Sequence, residues 1–156
     1  MKRSEGFVLF GLRITRHPDY KDVLQKGELR PELANLLCLI SEPNKEDVFL
    51  DPFSGSGSIP RERTRFPYKE IITSDLIPVK ITRPLKIDLK VVEVLQMSAL
   101  NMTKILDNSV DKIVTNPPWG IEVGKELDLP KFYSRMTDEF QRVLRQTRGI
   151  SSYSRR

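Results

Sequence analysis

The sequence predicts an α/β fold with a mostly parallel sheet and flanking helices, and three observations predict it. Short apolar runs of strand length, at 47–51, 71–75, 91–96 and 111–115, alternate with segments of helical periodicity, as parallel strands joined by crossovers do. The first run, Asp47-Val48-Phe49-Leu50-Asp51, is short, apolar and bounded by turn signals, as expected of a strand buried on both faces. It opens directly into a glycine-rich turn.

The remaining elements follow in order. Gly6 to Arg16 is rich in branched and aromatic residues and reads as a strand or hairpin edge, followed by a loop at His17-Pro18-Asp19-Tyr20. Leu33, Leu36, Leu37 and Ile40 recur at helical spacing behind Leu29-Arg30-Pro31-Glu32, with Pro31 in the first turn, where a missing N–H costs nothing. Cys38 falls within that stripe and reads as core. A short helix after the glycine turn must stop before Pro67, and Pro78 and Pro84 disfavour a long crossover helix between 76 and 90. In the last helix Asp128 is the cap and Pro130 sits near the start; Tyr133, Met136, Phe140, Val143 and Leu144 form one stripe.

A chain of 156 residues, 38% hydrophobic and 30% charged, can bury one real core. We read it as one partial domain, 1–156, with a lead-in at 1–28, a core at 29–148 and a tail at 149–156. No apolar run is long enough to span a bilayer, and Met1–Gly6 lacks the features of a signal peptide, so a cytoplasmic protein without a membrane role is expected. One cysteine excludes an internal disulfide and a cysteine-based zinc site. A net charge of +5 suits a polyanionic partner. The basic residues at 61, 63, 65 and 69 read as a solvated face; Arg142, Arg145, Arg148, Arg155 and Arg156 read as a solvated helix face and frayed end, or as a binding patch.

Pro52-Phe53-Ser54-Gly55-Ser56-Gly57-Ser58 follows the first strand, where α/β sheets bind ligands. It lacks the Gly-Lys-Ser/Thr end of a Walker A loop, and Pro60 stands where a dinucleotide fingerprint needs a third small residue. Asp75 ends the second strand, 20 residues beyond Gly55, and can accept from both ribose hydroxyls. A nucleoside ligand without a pyrophosphate fits this pattern, S-adenosylmethionine being the prominent case.

Asn116-Pro117-Pro118-Trp119 leaves the fourth strand on a rigid path, because two prolines cannot continue a ladder. The Asn116 side-chain oxygen and the Pro117 carbonyl could converge on one NH2 group, with Trp119 offering a flat face to an unstacked base. An exocyclic amine is a poor nucleophile because its lone pair is delocalised. Two acceptors on its hydrogens favour a tetrahedral nitrogen and aim the lone pair, so catalysis needs alignment more than a strong base.

Asp51-Pro52-Phe53-Ser54-Gly55-Ser56-Gly57 resembles the first cofactor motif of class I methyltransferases acting on amino groups, and Asn116-Pro117-Pro118-Trp119 resembles their catalytic motif. Together with Leu29-Arg30-Pro31-Glu32-Leu33-Ala34 and Gly55-Ser56-Gly57-Ser58-Ile59-Pro60-Arg61-Glu62, the chain resembles RNA methylases that often carry a THUMP domain and make N2-methylguanosine in tRNA. The resemblance covers roughly 7–148. It implies a Rossmann-like class I methyltransferase fold, S-adenosylmethionine as cofactor and tRNA as partner. Asp51, Phe53, Gly55 and Gly57 would line the methionine end, with Pro52, Ser54 and Ser56 in the same turn. Asp75 and the adjoining Leu76 would meet the ribose side, and Ser98 and Ala99 the adenine. Asn116 would touch the cofactor and, with Pro117, Pro118 and Trp119, hold the target amine, while Arg30 and Pro31 close the site.

Three departures stand out. Ser98 occupies the position where the family usually has an acid. The link from Asp75 to Val91 is short and broken by proline. The distal strands of a class I domain are missing, which would leave the fourth strand as an exposed edge for a protein partner or a second copy to cover. Three alternatives follow: a DNA adenine-amino methyltransferase, a glutamine-modifying protein methyltransferase, or an inactive remnant that binds cofactor or partner. His17, the one histidine, reads as a loop residue.

Overall fold

The computed structural model describes residues 28–77, 94–121 and 124–146 with their side chains, and the backbone of four short strands outside those ranges. In chain order the elements are β1 Lys2–Ser4, β2 Phe7–Leu9, α1 Pro31–Ile40, β3 Val48–Asp51, α2 Ser58–Arg63, β4 Glu70–Asp75, β5 Lys86–Ile87, β6 Lys90–Val91, β7 Val94–Gln96, β8 Lys112–Ile113 and α3 Leu129–Val143. The central sheet has the order β7-β4-β3-β8 and is parallel throughout. In motif order this is third, second, first, fourth, so the strand order reverses between β3 and β8. The Rossmann-like expectation holds.

Alternation along the strands builds a core on each face of the sheet. Phe49, with Ile71 and Val114, packs beside Ala34, Cys38 and Ile59 from α1 and α2. Leu50, with Ile72 and Ile113, faces the other way into Met97, Met102, Ile105, Val110 and Val143. Phe49 and Leu50 are fully buried, each contributing about 1.5–3 kcal/mol.

Several sequence expectations change. The third strand splits: Lys90–Val91 pairs antiparallel with Lys86–Ile87, and only Val94–Gln96 joins the parallel sheet. At the N-terminus, read as a strand or hairpin edge, Phe7–Leu9 does pair antiparallel, with Lys2–Ser4. His17, the loop at 17–20, and 78–85 fall outside the described residues. On α1, Ala34 and Cys38 are buried, whereas Leu33, Leu36 and Ile40 are 46%, 48% and 66% exposed. The small residues face α2 because close approach demands it: Cys38 lies against the Ile59 carbonyl, and Asn35 Nδ2 donates to Glu62 across the pair at 3.1 Å.

Arg63 is a second correction, since it is fully buried and not on a solvated face. Its guanidinium donates to Asp47 at 3.0 Å and to the Pro67 carbonyl at 2.7 Å, and stacks over Phe49 at 5.2 Å. Arg142 and Arg145 are also engaged. Arg142 bonds Glu139 and the carbonyls of Met102 and Ile105, and Arg145 pairs with Asp111. Arg148, Arg155 and Arg156 lie outside the described residues.

Just ahead of β8 the chain is paired on its outer side. After α3, Leu144 is extended and forms a parallel bridge with Val110, with Arg145 N donating to the Val110 carbonyl at 2.8 Å. Among the described residues no helix is long and apolar enough to cross a membrane.

Replacing Arg63 or Asp47 by Ala strands a buried charge. Urea unfolding of either variant should therefore show a loss of about 3–5 kcal/mol. Removal of Arg65, exposed but paired with the buried Glu62, should cost less, about 1–3 kcal/mol, because Asn35 still donates to that carboxylate.

Candidate active site

Both sequence motifs lie where adjacent strands β3 and β8 end. Asp51 closes β3, and Val114-Thr115 carries the chain on from β8, with Val114 N still donating to the Leu50 carbonyl at 3.3 Å. Thr115 Oγ1 donates to Asp51 Oδ1 at 2.7 Å. One residue later comes Asn116. The glycine turn and the tetrapeptide are therefore joined by a side-chain bond at the point where the strand order reverses.

The turn itself is fixed from two sides. Phe53 N donates to Asp51 Oδ1 at 3.2 Å, Gly57 N to the Ser54 carbonyl, and Ser54 N to the Ser74 carbonyl at 3.0 Å. Gly55 N donates to Asp75 Oδ2 at 2.9 Å, while the other carboxylate oxygen accepts from Ile77 N. Asp75 thus pins the glycine turn to the end of β4. Gly55 and Gly57 adopt φ of 48° and 82°, a region that residues with a Cβ rarely enter. A Cβ at Gly55 would meet nothing within 4 Å, so the space above this turn is open.

Asp51 is 1% exposed. Burial pushes its carboxyl up to about 7; hydrogen bonds from Thr115 and Phe53 oppose the rise, and the nearby negative charge of Asp75 adds to it. Pro52 and Ser54 are buried, Phe53 and Ser56 partly so. The Ser54 and Ser74 hydroxyls are buried without a hydrogen-bond partner. Leu76 and Ile77, beyond Asp75, are 63% and 72% exposed and present apolar surface at the strand end. Ser98 follows β7 and accepts from Leu100 N at 3.2 Å, with Ala99 buried beside it. Arg30 is the exposed cap residue of α1 and Pro31 its first position; Ser58 Oγ donates at 3.5 Å to neighbouring Glu28, so the lead into α1 meets the start of α2.

The tetrapeptide is half-buried apart from Trp119, which is 64% exposed. Trp119 Nε1 donates to Asn116 Oδ1 at 2.9 Å, and Tyr133 Oη donates to the Pro118 carbonyl at 2.8 Å. Phe132 packs on Phe53 with ring centroids 5.9 Å apart and edge-on against Tyr133 at 5.5 Å. The start of α3, capped by Asp128 accepting from Lys131 N, therefore touches the glycine turn through Phe132 and the tetrapeptide through Tyr133. Sequence reading missed Thr115, Phe132 and Tyr133. Tyr133 read as part of the apolar stripe of the last helix, Phe132 carried no reading, and only the position of Thr115 directly before Asn116 could have marked it. Among the described residues no cluster of His, Cys, Asp and Glu could hold a metal ion.

Residues 18–73 and 62–155 match the RMKL-like methyltransferase domain family. A tRNA (guanine(6)-N2)-methyltransferase of Thermus thermophilus is 27% identical over 142 residues, 85% of this chain and 42% of that protein. A tRNA (guanine(10)-N2)-dimethyltransferase of Methanocaldococcus jannaschii is 26% identical over 132 residues, 78% of this chain and 37% of that protein. The crystal structure of TrmN from Thermus thermophilus shares the fold, with a TM-score of 0.61 over 74% of this chain and 35% of that chain at 24% identity. The chain spans about two-fifths of the length of the curated relatives it matches. With its parallel sheet, its glycine turn and its Asn-Pro-Pro-Trp segment meeting at the strand ends, the chain belongs to the RMKL-like methyltransferase domain family.

Proposed function

We propose that this chain is the cofactor-binding and catalytic part of an S-adenosylmethionine-dependent methyltransferase that modifies an exocyclic amino nitrogen in RNA, guanine N2 in tRNA. The observation that carries this reading is the Thr115–Asp51 bond, which sets the glycine turn and the tetrapeptide side by side at the switch point of the sheet.

The residues present fit the cofactor. The space above Gly55 is open, two acids stand at neighbouring strand ends, and the buried Ser54 and Ser74 hydroxyls have capacity to bond. Asp51 and the glycine turn would hold the methionine end, Asp75 the ribose hydroxyls, and Leu76 an apolar flank. Ser98 carries no charge and its hydroxyl already serves the turn to Leu100, so the adenine end rests on apolar contact. When bound, S-adenosylmethionine supplies an electrophilic methyl group.

The chain's own residues do the rest. Asn116 Oδ1 and the Pro117 carbonyl accept the two amine hydrogens, which localises the nitrogen lone pair and aims it toward the glycine turn. Tyr133 holds the neighbouring Pro118 carbonyl, so the peptide plane cannot swing. Trp119 offers its face to the base. The printed names of the relatives favour tRNA guanine over DNA adenine. Net charge +5 suits a polyanion of either kind.

Transfer from labelled S-adenosylmethionine to tRNA but not to duplex DNA is the expected result; the reverse would overturn the RNA assignment. Cofactor binding without transfer to any RNA would favour an inactive remnant. Asn116→Ala should lower the single-turnover rate by about 10²–10³-fold, as loss of one preorganised polar group does, with cofactor affinity within a few-fold by calorimetry.

Asp51 gives the pH dependence. Its folded-state pKa of about 7 lies above its ordinary 3.8, so the native state holds the proton more tightly. The stability this contributes is full below about pH 4 and is lost as pH rises through 7. Asp51→Asn should flatten that slope in denaturant titrations between pH 4 and 8. A cationic ligand favours the ionised carboxylate, so cofactor affinity should fall below pH 7, by up to about tenfold per unit. Proton release on binding, read from calorimetry in two buffers, checks this, and Asp51→Asn should abolish it.

A further inference from the structure

The amine-accepting corner has an occupant supplied by the chain itself. Trp119 Nε1 donates to Asn116 Oδ1 at 2.9 Å, the same oxygen that the proposed reaction assigns to the target amine, and this inference rests on that reading. An indole N–H can only donate, as can an amine N–H, and although the amide oxygen has two lone pairs, an indole bonded to it at 2.9 Å crowds the approach of a second donor. The surrounding backbone is held: Tyr133 fixes the Pro118 carbonyl, and Thr115 ties the residue before Asn116 to Asp51. Gly120, at φ 74°, packs so closely on Leu129 that a Cβ there would come within 2.7 Å of its Cδ1. By contrast the indole is 64% exposed. The ring, and not the backbone, is what can move.

We propose that Trp119 is a specificity-determining residue whose indole N–H holds the Asn116 acceptor in the free protein and is exchanged for an amine N–H when the base enters. The exchange of one neutral donor for another is close to balanced in free energy. A base that carries an amine completes the exchange, and the released indole turns its face to it. A base with no amine offers at most a ring N–H, one donor for the two acceptors at Asn116 and Pro117, so the indole keeps its bond. Selection for an amino group then operates before the methyl-transfer step.

The chain has one tryptophan, so one indole N–H cross-peak reports this contact in an ¹H–¹⁵N spectrum of the full chain. Asn116→Leu should move that peak toward the position of a water-exposed indole without any RNA. A single-stranded oligonucleotide with one guanosine should move it likewise, and the same oligonucleotide with inosine, which lacks the amine, should leave it in place. Replacing Trp119 by β-(3-benzothienyl)alanine keeps a fused aromatic face and removes the N–H. Affinity for the guanosine oligonucleotide, by anisotropy, should then rise about three- to tenfold, since one competing hydrogen bond has gone. An unmoved peak in Asn116→Leu, equal shifts with guanosine and inosine, or an affinity unchanged or lowered in the benzothienyl variant would overturn the exchange while leaving methyl transfer intact. Absence of both RNA binding and methyl transfer would instead remove the underlying reading, and the exchange with it.

Discussion

The bond from Thr115 to Asp51 is the constraint on which the rest of the site depends. In a parallel sheet of order β7-β4-β3-β8, β3 and β8 leave the sheet side by side, and their connections run to opposite faces. That divergence opens a crevice, but it does not place the two chain segments at any particular separation. The 2.7 Å hydrogen bond does, because it joins the last residue of β3 to the residue immediately before Asn116. Phe53 N shares the same carboxylate oxygen, so turn, strand end and tetrapeptide converge on one atom. Burial of this acid opposes its ionisation. A cation placed in the crevice recovers part of that cost, which is the physical sense of an unfavourable charge at a ligand site.

The helix α3 makes the same connection from the other side. Phe132 rests on Phe53 and Tyr133 reaches Pro118, while one end of the helix is anchored in the core through Val143 and the Arg142 network. Glu139, whose carboxyl pKa hydrogen bonding with Arg142 lowers, also accepts from Met102 N, so the loop after β7 is fixed to the same helix. Movement of α3 would therefore change both walls of the crevice together. Proximity of two reacting groups is worth much only when such movement is suppressed.

The glycine turn, the acid-ended strands, the tetrapeptide and α3 with its Asp128 cap were legible in the sequence, because each depends on local chemistry. What could not be read depends on contacts between elements. Leu33, Leu36 and Ile40 match the helical period as well as any core stripe, but the helix spacing is set by Ala34 and Cys38 against α2, which requires small residues. Arg63 belongs to a basic run that looks solvated; only the tertiary placement of Asp47, Phe49 and the Pro67 carbonyl turns it inward. Within the site, the glycine turn was more readable than the surroundings of the tetrapeptide. Thr115 and Tyr133 act through bonds to residues 64 and 15 positions away, and no local pattern encodes such distances.

The substitution of an uncharged Ser98 for the expected acid has a consequence for how the crevice discriminates its ligand. A carboxylate at this position would select an adenine amine by charge-assisted bonding, which is about twice as strong as a neutral contact. Here the Ser98 hydroxyl accepts from Leu100 N and stabilises its own turn. The acids that remain, Asp51 and Asp75, stand at the ends of β3 and β4, and the apolar Leu76 and Ile77 flank them. On the proposed reading, the charge of the site faces the cationic end of the ligand and the ribose, and the purine is left to shape and apolar contact. If that reading holds, a ligand that loses its positive sulfonium centre on giving up the methyl group loses attraction where the acids stand, which favours departure of the demethylated product.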